Sequence, residues 1–407
     1  MDTSISDRER VLGCIVGGAV GDALGYPVEF DSWRSISGRF GQRGITRYMT
    51  DSRGLARISD DTQMTLFTVA GILLGLTRGA MRGIMGRFDE YCKYTYLDWL
   101  HTQAWTSRKE DEEVRSWLMD VPGLYARRAP GNTCLSALRY IESNPKKEAE
   151  NDSCGCGGVM RTAPIAIAYQ LHSYVQDKYA QSDNTAAYVA RITHRHPLGF
   201  IPSAVLNDIL MQILAGKVNG RNELCCAVNK AAERLPSVIS EDDDGKTYGE
   251  LWPKHVARQQ EILRQAFDLA QTKIPDHEAI ETIGGGWTGH EALAIAVYSA
   301  IKHADSFEDA IISCVNHSGD SDSTGAVCGN IIGAMLGRSA IPAYYTDQLE
   351  LLDVIEEIAE DLCSGCIIGE YDRLNTPEKQ RWYEKYCKFH RPDPNAAPSS
   401  PRQRQPL

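Results

Sequence analysis

The chain has 407 residues, of which 43% are hydrophobic, a share that is ordinary for a globular protein. Its 43 Lys and Arg residues against 54 Asp and Glu residues leave a formal net charge of −11. That balance argues against non-specific binding to nucleic acid and against attachment to an anionic membrane surface. The length fits one large domain or two smaller ones.

Three features predict a cytoplasmic protein. No stretch approaches the apolar length of a membrane span, and the charged N-terminus does not resemble a signal peptide. The twelve cysteines are scattered along the chain without a compact framework, so we expect reduced thiols.

The first predicted helix begins at a capping box formed by Ser6 and Glu9. Apolar residues and glycines follow, and Pro27 predicts that the helix ends near Gly25. Because glycine lowers helix propensity, this composition indicates a buried helix in close contact with another. Glu29 follows between two apolar residues. It is either a surface strand residue or an acid with a shifted pKa.

A pair of adjacent acids opens the next long apolar segment. Residues 31–57 are predicted to form a loop, after which Ser59, Asp60 and Asp61 stand at the start of a helix. The helix dipole favours acids at this position, which is the structural interpretation. The same three side chains also form a cluster of oxygen ligands.

A glycine-rich segment follows a region that is predicted to be helical from about residue 80 to 145. Gly157 and Gly158 precede a helical segment, so their amides could bind a phosphate, and Arg161 could add a positive charge. A plain turn is the alternative. His194 lies near the end of a helix predicted over residues 184–196. Without further histidines at ligand spacing, a structural or ligand-lining role is favoured over zinc binding.

The C-terminal half contains an aromatic residue among glycines. Trp287 follows Gly286 and precedes an apolar helix, so it could stack on a planar group or be buried beside the helix start. The acidic run at residues 241–244 is interpreted as a solvated loop, and residues 345–363 as an amphipathic helix. The tail over residues 391–407 is predicted to be disordered because it is rich in Pro, Ser, Gln and Arg.

A second acidic stretch contains Asp320, Asp322 and Ser323 between Gly319 and Gly325. Helical residues two apart do not share a face, so the two acids are predicted to lie in a turn that leads into a helix. Carboxylates and hydroxyls suit a hard cation. Taken alone, the stretch is better explained as an N-capping loop.

The absence of strand alternation and of tandem repeats predicts an all-α fold. If the two acidic helix starts meet, four negative charges converge, which is costly without cations or protons. Two divalent ions bridged by shared carboxylates would neutralise them, and Mg²⁺ or Mn²⁺ suits an all-oxygen ligand set. Such a site can polarise a bond and activate water.

Five motifs in one order resemble the ADP-ribosylglycohydrolase family. They span about residues 10–340 and comprise the segments 21–30, 59–62, 157–161, 193–194 and 318–325. The resemblance implies a compact multi-helix catalytic domain, here over residues 1–390, with a binuclear Mg²⁺ or Mn²⁺ centre.

Carried over position by position, the resemblance implies three groups of site residues. The expected metal ligands are Ser59, Asp60, Asp61, Asp320, Asp322 and Ser323. The expected catalytic groups are Glu29, Asp61 and Asp320. The residues expected to line the ADP-ribose cleft are Gly157, Gly158, Arg161, His194, Gly286 and Trp287.

The resemblance also implies a metal-dependent hydrolase that removes ADP-ribose from a modified protein side chain. Arginine is the expected acceptor, by similarity to the bacterial branch, and the expected partners are an ADP-ribosylated protein and ADP-ribose, with the chain acting as a monomer. Serine-linked or other O-linked ADP-ribose is the close alternative. The remaining alternatives are a non-catalytic ADP-ribose reader or crystallin-like structural relative, and another binuclear-metal hydrolase such as a phosphatase.

Overall fold

The computed structural model describes residues 5–103, 115–172, 178–235 and 252–387, and within these segments the regular secondary structure is helical. Extended residues pair there only in isolated bridges, such as the one between Gly155 and Thr288. The predicted all-α fold is confirmed. The acidic run at residues 241–244 and the tail at 391–407 lie outside the described residues.

The α-helices of these segments, in chain order, are α1 (Asp7–Gly25), α2 (Trp33–Phe40), α3 (Asp60–Arg82), α4 (Phe88–Gln103), α5 (Asn132–Ser143), α6 (Ala163–His172), α7 (Lys178–Arg191), α8 (Pro197–Leu214), α9 (Arg221–Arg234), α10 (Trp252–Ala270), α11 (Asp276–Ile283), α12 (Gly289–Lys302), α13 (Phe307–Val315), α14 (Ser321–Leu336), α15 (Ala343–Thr346), α16 (Leu352–Ser364) and α17 (Pro377–Tyr386). Short 3₁₀ helices cover Tyr26–Val28, Trp117–Asp120, Pro122–Leu124, Cys156–Arg161 and Arg338–Ala340. Buried apolar side chains from α1 to α17 form one connected core.

The predicted helix starts are confirmed by their caps. The Ser6 hydroxyl accepts a hydrogen bond from the Glu9 amide, and α1 ends at Gly25 as expected. Ser59 caps α3 by accepting from the Asp61 amide. Asp320 caps α14 by accepting from the Ser323 amide. The capping interpretation of the Asp320 stretch therefore holds. The first acidic stretch stands at a helix start as expected, and its cap is Ser59.

Several predicted boundaries are wrong. The loop predicted over residues 31–57 contains α2, which Ser32 caps and which ends before Gly41 at φ +84°. Both end signals were present, but the polar, Arg-rich sequence concealed the helix. The single helix predicted over residues 345–363 is two, α15 and α16. The predicted segment 184–196 is helical only as far as Arg191.

Three helical segments are long and apolar enough, by length and composition, to cross a membrane: Asp7–Val28, Asp60–Arg82 and Pro197–Leu214. The expectation that no stretch reaches this length is therefore wrong. In their most apolar windows, 89%, 67% and 94% of the residues are buried inside the protein. Apolarity on all sides of a helix is also what a deep core position requires, and these helices occupy one.

Helices α1 and α14 pack against each other through a ladder of glycines. A Cβ atom added at Gly21 would lie 2.0 Å from the carbonyl oxygen of Gly325, and one added at Gly329 would lie 2.0 Å from that of Gly17. The helices run antiparallel, because positions later in α1 face positions earlier in α14. This contact places the start of α14 beside Gly25, four residues before Glu29.

Candidate functional site

A buried carboxylate on α1 holds the start of α3. Both oxygens of Asp22 accept a hydrogen bond from the Ser59 amide at 3.0 Å, and Oδ2 accepts one from the Thr62 amide at 3.1 Å. The Thr62 hydroxyl donates to the same oxygen. Because Asp22 is fully buried, these bonds offset the cost of removing its charge from water. Asp22 therefore positions the first turn of α3, where Asp60 and Asp61 lie.

Sequence reasoning gave Asp22 no role, although a signal was present. It is a charged residue on the glycine-rich and otherwise apolar part of α1, and a charge buried at such a position must find partners.

Asp22→Asn is expected to lower the free energy of unfolding by about 2 kcal/mol, because asparagine has one acceptor oxygen where several donors converge. Urea unfolding measures this. Asp98→Asn is the matched control, since Asp98 is also buried and accepts from the Arg115 and Ser116 amides. Both variants should be destabilised, and Asp22→Asn alone should reduce the rise in melting temperature that Mg²⁺ or Mn²⁺ produces. If Mg²⁺ or Mn²⁺ raised the melting temperature of the two variants equally, the role of Asp22 in positioning the start of α3 would be contradicted.

The two acidic stretches meet, together with Glu29. One ligand-type oxygen each from Glu29, Asp320 and Asp322 lies within 4.8 Å of the others, and all three residues are buried. The Ser323 side chain is close enough to Asp61 to hydrogen-bond its carboxyl, which connects the start of α14 to the start of α3. The carboxylates of both stretches therefore converge on one region beside the end of α1.

Burial controls the pKa values of this cluster. It raises the pKa of Asp60, Asp61 and Asp322 well above the usual range, and neighbouring carboxylates add to each shift. Burial, followed by the charges of Asp320, Asp60 and Asp22, raises the pKa of Glu29 to about 9. The prediction of a shifted pKa for Glu29 is confirmed, and the surface-strand interpretation is wrong because Glu29 is only 7% exposed.

The residues present fit a divalent cation. Glu29 Oε2 and Asp61 Oδ2 are buried without a hydrogen-bond partner among the described residues. Unpartnered carboxylate oxygens in a cluster of like charge are costly, and a cation would offset that cost. The donors are carboxylates and hydroxyls, which favours Mg²⁺ or Mn²⁺ over zinc.

The glycine-rich segment borders this cluster through a cysteine. The Cys156 thiol donates a hydrogen bond to Asp320 Oδ2 at 2.7 Å. The segment is fixed from behind, because a Cβ atom at Gly157 would lie 2.8 Å from the His194 ring and one at Gly158 would lie 2.4 Å from the Gly199 carbonyl oxygen. Cys156 is a site residue that the sequence analysis did not identify.

The Arg161 side chain contacts residues outside the acidic cluster. It is fully buried, donates to the Thr193 hydroxyl at 2.6 Å and lies over the Tyr96 ring, with Cζ 4.5 Å from the ring centroid. The expectation that its charge lines the cleft does not match this placement. The guanidinium instead connects the end of the glycine-rich segment to α4 and to the end of α7.

His194 lies directly behind the glycine-rich segment. It is 2% exposed, its Nδ1 is 2.9 Å from the Thr193 hydroxyl, and burial lowers its pKa to about 3. The ring is therefore neutral at physiological pH. Its position indicates support of Gly155 and Gly157 rather than zinc binding, as the spacing of histidines also indicated.

Gly286 and Trp287 lie on the other side of Asp320. Gly286 has φ +78°, and a Cβ atom there would lie 3.4 Å from Asp320 Cβ, so only glycine fits this turn without strain. The Gly285 carbonyl accepts from the Asp320 amide at 2.9 Å. Trp287 is 45% exposed, which excludes the buried-tryptophan alternative.

Comparison with known proteins gives consistent results. The sequence profile of a family described as ADP-ribosylglycohydrolase matches residues 3–370. The chain is 26% identical over 355 residues to the ADP-ribosyl-[dinitrogen reductase] glycohydrolase of Rhodospirillum rubrum, covering 86% of this chain and 93% of that protein. It is 23% identical over 368 residues to ADP-ribosylhydrolase ARH3 of Mus musculus, covering 87% of this chain and 90% of that protein.

The fold is also similar to that of a solved structure. A chain described as an ADP-ribosylglycohydrolase-related protein complex aligns with a TM-score of 0.55 at 22% identity, covering 88% of this chain and 98% of the other.

Proposed function

Because the chain belongs to the ADP-ribosylglycohydrolase family of hydrolases, we propose that it cleaves ADP-ribose from arginine side chains of modified proteins with the aid of two Mg²⁺ or Mn²⁺ ions. The observation that carries the proposal is the convergence of Glu29, Asp320 and Asp322 beside the start of α3. We propose arginine as the acceptor because the ordered motifs resemble the bacterial branch of the family, and serine-linked or other O-linked ADP-ribose is the alternative.

The two acidic stretches supply the ligands in this proposal. The residues that would hold the ions are Ser59, Asp60, Asp61, Asp320, Asp322 and Ser323. When bound, the cations would supply positive charge that neutralises the carboxylates and polarises substrate oxygens. Asp22 would keep the α3 ligands in place through its bonds to the Ser59 and Thr62 amides.

The remaining chemistry requires a water molecule and a proton path. Hydrolysis breaks the bond between the ribose C1 atom and the acceptor nitrogen; C1 gains the hydroxyl of water and the nitrogen gains the proton. Glu29, Asp61 and Asp320 are the candidates for orienting the water and transferring that proton. Glu29 is the residue of the three that is outside the proposed ligand set, and its carboxyl lies within the same cluster.

The ADP-ribose part of the substrate would lie along the glycine-rich segment. Gly157 and Gly158 are packed so closely that a side chain at either position would collide with its support. Backbone amides of such a segment can bind phosphate. In this proposal His194 and Arg161 act as the support of the segment, and Gly286 and Trp287 border the opposite side.

The decisive experiment measures free ADP-ribose released from one arginine-linked and one serine-linked peptide, each with Mg²⁺, with Mn²⁺ and with chelator. We expect ion-dependent release from the arginine-linked peptide at a kcat/KM at least about tenfold above that for the serine-linked one. Preferred release from the serine-linked peptide would assign the alternative linkage. Tight ADP-ribose binding without release from either peptide would favour a non-catalytic reader, and release of phosphate instead would indicate a phosphatase.

We also propose a cytoplasmic location for the protein. All twelve cysteines lie in described segments and none forms a disulfide there, which supports a reducing environment.

A further inference from the structure

Two large aromatic side chains are stacked in an exposed position. Phe30 is 75% exposed and Trp287 is 45% exposed, and their ring centroids are 5.7 Å apart with an interplanar angle of 24°. The two residues are distant in sequence and belong to different segments, so the stack joins two borders of the site. An exposed apolar pair at a site border indicates an interaction surface.

The aromatic pair is linked to the acidic cluster through the backbone at both of its members. Phe30 follows Glu29, whose carboxylate belongs to the cluster. Trp287 follows Gly286, which packs against Asp320. These links place the pair beside the cluster at which, in the proposed function, the reacting bond would lie.

The covalent structure of the substrate indicates which of its parts would contact the aromatic pair. The acceptor side chain is bonded to the ribose C1 atom at which cleavage occurs, so it must lie next to the catalytic carboxylates. The adenine is separated from that bond by the ribose, two phosphates and a second ribose. A surface formed by the residue that follows Glu29 is consequently closer to the acceptor than to the base.

A carboxylate stands on the same border. Glu281 is exposed and accepts a hydrogen bond at 2.8 Å from the hydroxyl of Ser318, two residues before Asp320. That hydroxyl also accepts from the Trp33 amide at 2.8 Å, which ties this border to the segment after Phe30. Two aromatic rings with a neighbouring carboxylate match a guanidinium, which is planar, cationic and rich in donors.

We infer that Phe30, Trp287 and Glu281 form the acceptor site, where the guanidinium of the modified arginine stacks on the aromatic pair and faces the carboxylate. The inference rests on the proposed function and deepens it, because it explains how arginine is selected. A serine acceptor has no planar cation to stack, so it gains little from this surface.

The test compares Trp287→Ala, Phe30→Ala and Glu281→Gln with Tyr371→Ala on the arginine-linked and serine-linked peptides. Tyr371 is the matched control because it is an aromatic residue that is 88% exposed and outside the site. Glutamine at position 281 can still accept the Ser318 hydrogen bond, so this variant removes the charge alone. Far-UV circular dichroism and the melting temperature establish that each variant is folded.

We expect each of the three site variants to lower kcat/KM for the arginine-linked peptide about tenfold more than for the serine-linked peptide. Glu281→Gln should also weaken the salt dependence of the arginine-linked reaction. Tyr371→Ala should match the unsubstituted protein. Site variants that behave like Tyr371→Ala would overturn the acceptor site and leave the proposed function standing.

Two other outcomes would also overturn the inference. Equal losses on both peptides, with weaker inhibition by free ADP-ribose, would assign the stack to the ADP-ribose moiety. An unsubstituted protein that prefers the serine-linked peptide, or cleaves neither, would refute the proposed arginine activity itself and the inference with it.

Discussion

The double substitution of Asp60→Asn and Asp322→Asn is expected to reduce ADP-ribose release to below about one thousandth of the unsubstituted rate, a loss of about 4 kcal/mol in transition-state stabilisation. One residue comes from the start of α3 and the other from the start of α14, so the variant removes a carboxylate from each stretch. The fold should survive, because both side chains are buried beside other carboxylates, and burial together with those neighbouring charges raises the pKa of each.

The ion dependence of stability provides a readout besides activity. Binding of an ion to the folded state at 100 times its dissociation constant adds about 2.7 kcal/mol to the free energy of unfolding. Millimolar Mg²⁺ or Mn²⁺ should therefore raise the melting temperature of the unsubstituted protein, and of the Asp98→Asn control, but not of the double variant. Full activity of the double variant, or an unchanged rise of its melting temperature with the ion, would contradict the role assigned to the acidic cluster.

Gly329→Ala is expected to destabilise the protein by more than about 3 kcal/mol. The added Cβ atom would lie 2.0 Å from the Gly17 carbonyl oxygen, and that oxygen belongs to helix backbone that cannot rotate away. Helices α1 and α14 would have to separate. Since Glu29 follows α1 and Asp320 precedes α14, separation should also lower activity among molecules that remain folded.

Urea unfolding of Gly329→Ala and Gly38→Ala tests this expectation. Gly38 lies in α2 with no atom within 4 Å of an added Cβ. Alanine there should stabilise the protein by up to about 1 kcal/mol, because alanine has the higher helix propensity. The same Gly→Ala substitution is thus expected to change the free energy of unfolding in opposite directions at these two helical glycines. A Gly329→Ala protein as stable as Gly38→Ala would show that α1 and α14 can move apart at little cost, which contradicts their close backbone packing.

Much of this architecture could be predicted from local sequence signals. The cap at Ser6, the helix start at Ser59, the end of α1 at Gly25 and the helical character of the chain all follow from short-range patterns. The convergence of the two acidic stretches could be stated only as a condition, because no local pattern fixes a distance between residues separated by more than two hundred positions. The glycines of α1 predicted a close helix contact, and α14 is the partner.

Side-chain direction and partnership could not be predicted in the same way. Arg161 ends a glycine-rich segment whether its guanidinium points to a ligand or to Tyr96, and the sequence is identical in both cases. The role of Asp22 depends on the Ser59 and Thr62 amides, which approach it only after α1 and α3 pack. The bond from Cys156 to Asp320 likewise exists only in the folded protein.

The glycine ladder alone does not determine the register of α1 relative to α14 along the helix axes. Its glycines recur every four residues on both helices, so a displacement by one repeat would again set glycine against glycine at several levels. Such a displacement is about 6 Å. Polar bonds distinguish the observed register: the Asn330 amide donates to the Cys14 carbonyl at 2.8 Å, and Arg10 donates to the Ala334 carbonyl at 3.2 Å. Asn330 and Arg10 therefore fix the register of the two helices, and with it the distance between Asp320 and Glu29.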